Sequence, residues 1–155
     1  MAARWYIVSF HKGRENAARM NLTNQGFEIW MPRELRVVTH ARSRTEKLVP
    51  FFPGHMFVEV DLELQRWRAI NSTIGMHSLI MQGDSPLPCP IGLVETMQAF
   101  ARKNECVYFD TIPDGVDVDS PAVRLVRSLG QVNGRERFYR LLELCSSPKE
   151  FRTDR

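Results

Sequence analysis

Apolar and polar positions alternate with a period of two in several short stretches of the chain, which predicts β-strands that are buried on at least one face. The two clearest stretches are residues 4–10 and 51–61, both rich in aromatic and β-branched side chains. In the first strand the alternation defines two faces, which consist of Tyr6, Val8 and Phe10 and of Trp5, Ile7 and Ser9.

Residues 51–61 form the strongest predicted strand, and its two faces differ in character. One face is uniformly apolar and is expected to pack under helices: Phe52, Met56, Val58 and Val60. The other face is mixed: Phe51, His55, Phe57 and Glu59. A large aromatic residue among polar neighbours on an open sheet face is typical of a surface that binds a partner. The alternative is that the chain's own loops or tail cover Phe57.

The remaining elements are predicted from turn residues and from helical spacing. Gly26 closes the first helix, because glycine is the preferred residue just past a helix end. The predicted elements are a helix at 14–25, a strand at 27–31, a hairpin at 33–49, a helix at 62–71, a strand at 76–81 and a helix at 91–103. This order predicts an α+β fold with an antiparallel four-stranded sheet flanked by helices.

Changes in composition divide the chain into three segments. Residues 1–108 form the main domain, residues 109–121 form a linker rich in turn residues, and residues 122–155 form a small C-terminal element. Within that element, apolar residues recur at the i, i+3, i+4 and i+7 spacing of a helix: Phe138, Leu141, Leu142 and Cys145. A helical hairpin is therefore favoured, and a small β-structure is the alternative.

The composition is that of a globular protein in a reducing cytoplasm. The chain has 155 residues, of which 43% are hydrophobic and 25% are charged. No apolar run approaches the roughly 18 residues that a membrane helix needs, so no membrane association is expected. The three cysteines are scattered without a Cys-x-x-Cys pair, which indicates neither a disulfide framework nor a zinc site. A monomer is expected.

The charge is distributed unevenly along the chain. Residues 1–50 carry nine Lys/Arg against four Asp/Glu, whereas residues 51–118 carry four against nine. A basic first third beside an acidic middle suggests one face for nucleic acid and another for a different partner. The alternative is that these charges only solvate the surface.

Signatures of enzymes do not occur in the sequence. The four histidines share no spacing with each other, or with cysteines and carboxylates, that would make a metal site. There is also no glycine-rich phosphate loop and no nucleophile elbow. We therefore expect a binding protein without a cofactor rather than an enzyme.

Several short motifs stand out along the main domain: Trp5-Tyr6 at the start of the first strand, Pro32 at the end of the second, and the segments 52–58 (Phe-Pro-Gly-His-Met-Phe-Val) and 71–75 (Asn-Ser-Thr-Ile-Gly). Together they resemble the N-terminal domain of the NusG family of transcription factors. The resemblance covers roughly residues 4–105, and the loop lengths are most similar to those of the specialised RfaH-like antiterminators. It implies a factor of transcription elongation or antitermination that binds RNA polymerase and suppresses pausing or termination.

The resemblance also implies which residues bind the polymerase. An apolar sheet face would dock on the clamp helices of the largest subunit, with Phe57 as the anchor, His55 beside it, and Ile7 and Ser9 on the neighbouring strand. A second, weaker polymerase contact corresponds to Arg66 and Arg68. The residue between them, Trp67, is expected to belong to the core.

Basic residues at two places fit contacts with the non-template DNA strand. Phosphate contacts of this kind do not depend on sequence. The candidates are Lys12, Arg14 and Arg19 around the first turn and helix, and Arg42, Arg44 and Lys47 on the hairpin. Ala17, Asn21 and Ile74 occupy positions where RfaH-like proteins use basic or polar side chains to read bases, so any recognised DNA sequence should be a different one.

The C-terminal element departs from the family pattern. The family normally ends in a five-stranded KOW barrel that recruits the ribosome or a termination factor, but residues 122–155 are too few for the barrel and its linker, so the β alternative is a truncated KOW-like structure. A helical hairpin there could instead cover the Phe57 face until polymerase displaces it. Two other readings are a free-standing module that binds single-stranded nucleic acid and an interaction protein that does not bind nucleic acid.

Overall fold

A four-stranded antiparallel sheet forms the centre of the molecule, in a computed structural model that describes residues 2–147. The strand order is β2-β5-β1-β6. These strands are β1 (Arg4–Phe10), β2 (Glu28–Trp30), β5 (His55–Val60) and β6 (Met76–Leu79). Two separate two-stranded ribbons are formed by β3 (Arg33–His40) with β4 (Ser43–Pro50), and by β7 (Met81–Gln82) with β8 (Ser85–Pro86).

Helices cover both faces of the sheet, so the molecule has three layers. The helices are α1 (Glu15–Asn24), α2 (Leu93–Gln98), α3 (Pro121–Leu129) and α4 (Gly134–Ser146), and short 3₁₀ helices occur at Trp67–Ser72 and Lys103–Glu105. Helix α1 and the first 3₁₀ helix pack on one face, and α2, α3 and α4 pack on the other. The predicted α+β class with an antiparallel four-stranded sheet is confirmed.

The period-two alternation along β1 assigns its side chains to the two cores as predicted. Tyr6, Val8 and Phe10 belong to the core under α1, together with Met56, Val58 and Val60 of β5. Trp5 and Ile7 belong to the opposite core, with Phe57. Because successive side chains of a strand point to opposite faces, two apolar sets along one strand require cover on both sides of the sheet.

The predicted strand at 51–61 begins later than expected, at His55. Residues 51–54 form a turn instead, in which Gly54 has a φ of 78° and the His55 N–H donates to the Phe52 carbonyl over 3.0 Å. The turn breaks the alternation, so Phe52 packs with Phe57 rather than with Met56 and Val58. The cause is Pro53, which has no N–H to donate to a neighbouring strand.

The predicted helix at 62–71 is also shorter than expected. Only the 3₁₀ helix at Trp67–Ser72 forms, because the Asp61 carboxylate accepts hydrogen bonds from the backbone N–H groups of Glu63 (3.0 Å) and Leu64 (3.4 Å). Such a local bond competes with helix formation. As a result Leu64 is 84% exposed, whereas Ile70 is fully buried.

Helix α2 ends at Gln98 rather than at residue 103. Beyond Phe100 the chain turns back on itself, and the Arg102 N–H donates to the Cys106 carbonyl over 2.7 Å. Local helical spacing could not show this reversal, because the hydrogen-bond acceptor of Arg102 lies beyond the helix.

The C-terminal element is a helical hairpin, as favoured from its apolar spacing. Helix α3 begins with Pro121 in its first turn, where proline is well tolerated, and α4 is capped by the Asn133 side chain, which accepts from the Glu136 N–H over 3.0 Å. Residues 108–120, which include most of the predicted linker, contain neither helix nor strand. Residues 148–155 of the predicted element lie outside the described residues, and the domain boundaries remain a prediction.

Helix α4 approaches the main domain closely at its first residue, Gly134. A Cβ atom placed there would lie 2.8 Å from both Cγ and Cδ of Pro53. Because the pyrrolidine ring is rigid, the helix itself would have to move. Glycine is thus required here by close approach rather than by backbone conformation.

We therefore expect Gly134→Ala to loosen the docking of α3 and α4, although alanine favours an isolated helix by about 1 kcal/mol over glycine. Hydrogen exchange of the α3 and α4 amides should become faster than in the wild-type chain. The neighbouring Arg135→Ala variant, which changes an exposed side chain, is the control and should exchange at the wild-type rate. Unchanged exchange in Gly134→Ala would show that the contact with Pro53 does not limit docking.

Candidate functional site

The sheet face centred on Phe57 brings together residues from three strands. In the sheet register Phe57 lies opposite Ile7 of β1 and Trp30 of β2. Its ring is stacked with Trp30 at a centroid distance of 5.9 Å and meets Phe52 edge-on at 5.8 Å. The predicted pairing of Phe57 with Ile7 on one face is therefore present in the structure, and Trp30 is an additional member that the sequence pattern did not identify.

Helix α2 of the main domain and the hairpin of α3 and α4 pack on this face. Phe57 and Ile7 are each only 1% exposed. The helical residues buried in the same core are Ala122, Val123, Val126, Leu129, Leu141, Leu144 and Cys145. The expectation of a partly open face at Phe57 is therefore wrong for this structure. The structure agrees instead with the alternative, in which the chain's own loops or tail cover Phe57. The physical reason is that a large apolar area is stabilised by removal from water.

A buried arginine of α4 attaches the hairpin to the main domain. Arg137 is 8% exposed, and its guanidinium lies 4.0 Å above the Phe51 ring. Its Nε donates to the Leu129 carbonyl (2.9 Å), and its Nη1 donates to the Phe51 carbonyl (3.3 Å) and forms an ion pair with Glu34. These partners satisfy a charge that would otherwise be costly to bury.

Arg137 was not among the functional residues predicted from the sequence. The signal that could have found it is its position four residues before Leu141, on the same helical stripe. An arginine on an otherwise apolar stripe predicts a buried ionic partner. That partner, Glu34, comes from a ribbon 103 residues away in sequence, so local spacing could not have named it.

His55 lies at the edge of the covered face and contacts α4 directly. Its ring is stacked on Phe138 at a centroid distance of 3.8 Å and an interplanar angle of 17°. Its Nδ1 lies 2.9 Å from the Pro53 carbonyl oxygen. Burial lowers the pKa of His55 below its usual value, and the Pro53 carbonyl opposes this shift only in part.

Ser9 completes the predicted set on β1, where it lies opposite His55 in the register. It is half-buried, and its hydroxyl donates to the Ser78 carbonyl over 3.1 Å. The hydroxyl is thus used within the sheet, so in this structure Ser9 supports the neighbouring strand rather than offering a free polar group.

The β3–β4 ribbon presents its basic residues to solvent. Its tip is a two-residue turn between His40 and Ser43, in which Ala41 and Arg42 both have positive φ (45° and 72°), as in a type I′ hairpin. Arg42, Arg44 and Lys47 are all exposed. At the base of the ribbon, Glu34 contacts Arg36 over 3.2 Å with one carboxylate oxygen and Arg137 with the other.

The basic residues near α1 fall into two groups. Lys12 and Arg14 are exposed beside the turn that precedes the helix. Arg19 instead forms an ion pair with Glu105 over 2.7 Å and is only 27% exposed. The predicted phosphate contact at Arg19 is therefore weakened, because its charge is already compensated within the chain.

The two arginines of the predicted second polymerase contact lie at the first 3₁₀ helix. Arg66 and Arg68 are exposed, and the Arg68 guanidinium lies 4.3 Å above the Trp67 ring. Trp67 packs against the core under α1, in agreement with its expected structural role. Both arginines are thus accessible to solvent at this helix.

Two general findings concern the described part of the chain. No group of three or more His, Cys, Asp or Glu residues among residues 2–147 could hold a metal ion. None of the described helices combines the length and the hydrophobicity that crossing a bilayer requires.

Comparisons with known proteins identify one family. The family model described as "Transcription termination factor nusG" matches residues 3–98. The transcription termination/antitermination protein NusG of Treponema pallidum is 37% identical over 82 residues, which are 45% of this chain and 43% of that protein. Its counterpart in Staphylococcus epidermidis is 26% identical over 88 residues, which are 51% of this chain and 48% of that protein.

A solved structure described as "Domain interaction in Thermotoga maritima NusG" is similar at 21% sequence identity and a TM-score of 0.40, over 64% of this chain and 55% of that one. The chain spans about half the length of the curated relatives that it matches.

The lowered pKa of His55 predicts that hairpin docking depends on pH. Because the pKa is lower in the folded state, the stabilisation is fully present above the unfolded pKa of about 6.5 and is lost as the pH falls through the folded value. Amide exchange of α4 should therefore accelerate below about pH 6.5, after correction for intrinsic exchange.

The variant His55→Phe, which keeps a ring on Phe138 but cannot titrate, should lose this dependence. His40→Gln, at the exposed ribbon tip, is the matched control and should retain it. Equal pH dependence in wild type and His55→Phe would exclude His55 as the cause.

Proposed function

The chain belongs to the NusG family, and from this premise we propose that it is a transcription elongation or antitermination factor of the RfaH-like type. In this proposal it binds the clamp helices of the largest subunit of RNA polymerase through the sheet face centred on Phe57. It also contacts the non-template DNA strand, and so suppresses pausing or termination. It acts in the cytoplasm as a monomer and a binding protein, without enzymatic chemistry.

The observation that carries the proposal is that the Phe57 face already accommodates a pair of helices. Phe57, Ile7 and Trp30 belong to an apolar core to which the α3–α4 hairpin contributes together with α2. The clamp helices of polymerase are also a helical pair, so they would compete for this surface. The aromatic ring of Phe57 would be the anchor, since large aromatic residues in buried pockets dominate binding energy at interfaces.

In this view the described structure is the autoinhibited form of the factor. The hairpin is held by apolar contacts, by the Arg137–Glu34 ion pair and by the stacking of His55 on Phe138. A partner that binds only the uncovered face shifts the equilibrium between covered and uncovered chains. The size of the shift is set by the difference between the partner's affinities for these two states. Covered and uncovered chains therefore differ in polymerase affinity, although their binding residues are identical.

The proposed DNA contacts lie away from the covered face. Lys12 and Arg14 beside α1 and the basic residues of the ribbon tip are exposed in the described state, so they do not depend on release of the hairpin. Arg66 and Arg68 are proposed as a weaker polymerase contact. The sheet aromatics Trp5, Trp30 and Phe57 are buried, which removes the stacking surface on which a free-standing single-strand-binding module depended.

The proposed division of the chain follows from these roles. Residues 1–108 bind polymerase and DNA, and residues 109–121 connect this domain to the C-terminal element. Residues 122–155 regulate the access of polymerase to the Phe57 face. Over its described part the last segment is helical and does not form a KOW barrel. A contact of this segment with the ribosome or a termination factor therefore depends on a different surface or a different state.

Binding to clamp helices should rise when the hairpin is loosened and fall when the anchor is removed. We expect Gly134→Ala to bind an isolated clamp-helix fragment more tightly than wild type in a titration by calorimetry. Adding Phe57→Ala to Gly134→Ala should weaken binding by about 2 kcal/mol or more, roughly 30-fold in Kd.

Because Phe57 is also a core residue, its loss destabilises the domain, and truncations of this kind cost about 3–5 kcal/mol. Val58→Ala in the same Gly134→Ala background is the matched control, since Val58 is equally buried but faces the core under α1. It should retain tight binding while the protein stays folded by circular dichroism. Equal losses in the two variants would contradict an anchor role for Phe57.

The basic ribbon predicts a salt-dependent contact with single-stranded DNA. Replacing Arg42 and Arg44 by alanine should reduce the slope of log K against log salt by about 0.7 for each charge removed, as measured by fluorescence anisotropy. Arg124→Ala, which removes an exposed charge of α3 that pairs with Asp119, is the control and should leave the slope unchanged. The same reduction of the slope in both variants would indicate that the salt dependence arises from net charge rather than from the ribbon.

A further inference from the structure

A surface cavity of about 380 Å³ lies where the hairpin meets the main domain. Its lining comes from the base of the ribbon, from the segment 107–110, and from the turn between α3 and α4. Its volume is within the range of roughly 300–1,000 Å³ that is typical of sites for small molecules. Because both sides of the boundary contribute to the lining, a ligand there would contact the hairpin and the main domain at once.

The charged residues that line the cavity form two sets. Arg137 and Glu34 compensate each other in the ion pair described above. Arg127 and Asp110 also line the cavity, but neither forms an ion pair with any residue among 2–147. One positive and one negative charge are therefore left without an ionic partner in the same cavity.

The guanidinium of Arg127 is held by one of its nitrogen atoms and is available at the other two. Its Nε donates to the Phe109 carbonyl over 2.7 Å, which fixes the side chain against the main domain. Within the part of the chain that the structure describes, no residue accepts a hydrogen bond from its Nη1 or Nη2. Two neighbouring guanidinium nitrogens bind the two oxygens of a carboxylate well, because the planar fork matches the geometry of that group.

Asp110 directly follows Phe109, the residue that holds Arg127, so the two unpaired charges lie near each other. Asp110 is exposed, and its carboxylate accepts one long hydrogen bond, from the Thr111 hydroxyl over 3.5 Å. It can therefore accept further hydrogen bonds from an ammonium group. Two opposite charges in this arrangement match a ligand that carries a carboxylate and an ammonium group on one carbon atom.

The cavity also offers an apolar surface beside the two charges. Phe51 and Phe109 line it, and their rings meet edge-on at a centroid distance of 5.2 Å. Leu35 of the ribbon lines it as well, although 43% of this side chain is exposed. An apolar group bound beside Leu35 would remove this area from water and so contribute to binding.

We propose that this cavity binds a free α-amino acid with an apolar side chain. Arg127 binds its carboxylate, Asp110 binds its ammonium group, and its side chain packs against Leu35 and the two aromatic rings. A peptide fits less well, because its ammonium and carboxylate groups are far apart. The bound ligand holds the hairpin in its docked position. A consequence for polymerase rests on the proposed function, whereas binding of the amino acid does not.

Calorimetric titration of the full chain with L-leucine and with L-phenylalanine tests the site, and at least one of them should bind. The N-acetyl and carboxamide derivatives of the same amino acid each lack one of the two charges. They should bind roughly tenfold more weakly or worse, because each leaves a charged side chain without its partner. Asp110→Asn and Arg127→Gln should weaken binding in the same way. Arg124→Gln is the matched control, since Arg124 lies on the same helix but pairs with Asp119, and it should bind like wild type.

The amino acid should also slow amide exchange of α3 and α4, because its site is complete only while the hairpin is docked. The rate should fall about tenfold when the ligand is present at about ten times its Kd. The same concentration should leave exchange in Asp110→Asn unchanged. Asp110 is exposed, so this variant should stay folded by circular dichroism even if Arg127→Gln, which loses the bond to Phe109, does not.

Three results would overturn the proposal. They are the absence of binding for both amino acids, binding that is equally tight for the derivatives or for Asp110→Asn, and binding that leaves exchange of α3 and α4 unchanged. The clamp-helix fragment separates this failure from failure of the proposed function. A chain that binds neither amino acid while its Gly134→Ala variant binds the fragment contradicts only the amino-acid site. An amino acid that slows exchange in a chain that never binds the fragment contradicts only the polymerase partner.

Discussion

The structure depends on the fact that the two central strands are apolar on both faces. Along β1 and β5, side chains that point one way pack under α1, and those that point the other way, Ile7 and Phe57, form a second apolar surface. Burial of apolar area contributes roughly 25 cal/mol per Å², so neither face is stable in water. The first face has a permanent cover in its own domain. The second is covered by α2 and by the α3–α4 hairpin, which follows a segment without helix or strand, and the proposed polymerase binding exchanges this hairpin for a partner.

The hairpin combines an apolar stripe with a small number of polar contacts that define its position. An apolar stripe alone could shift along the sheet, because hydrophobic contacts are not directional. Arg137 prevents this, since its guanidinium is satisfied only where the carbonyls of Leu129 and Phe51 and the Glu34 carboxylate converge. A buried ion pair adds little net stability compared with an apolar pair of the same size, but loss of one partner is costly. Such a contact gives a docked state that is well defined and still reversible.

The two candidate surfaces meet at one residue. The ribbon is a separate two-stranded sheet whose basic tip is exposed to solvent, whereas the Phe57 face is buried. Glu34, at its base, contacts Arg36 of the ribbon and Arg137 of the hairpin with different carboxylate oxygens. A change at either surface that moves Glu34 therefore alters the other. The ion pair of Arg19 with Glu105 has the opposite effect, because it withdraws a basic side chain from the proposed DNA contacts.

The sequence by itself determined the features that follow from local periodicity. The alternation in β1 separated Tyr6 from Ile7, the spacing in the tail predicted the helices, and residues 52–58 carried the family resemblance. Only the tertiary structure decided the rest: that Pro53 and Gly54 turn the chain before β5, that the Asp61 carboxylate replaces the start of a helix, and that Phe57 is buried rather than open. The reason is physical, because strand and helix periods depend on neighbouring residues, whereas cover and ionic pairing depend on groups far apart along the chain. Arg137 and Glu34 become partners only when the hairpin folds back onto the sheet.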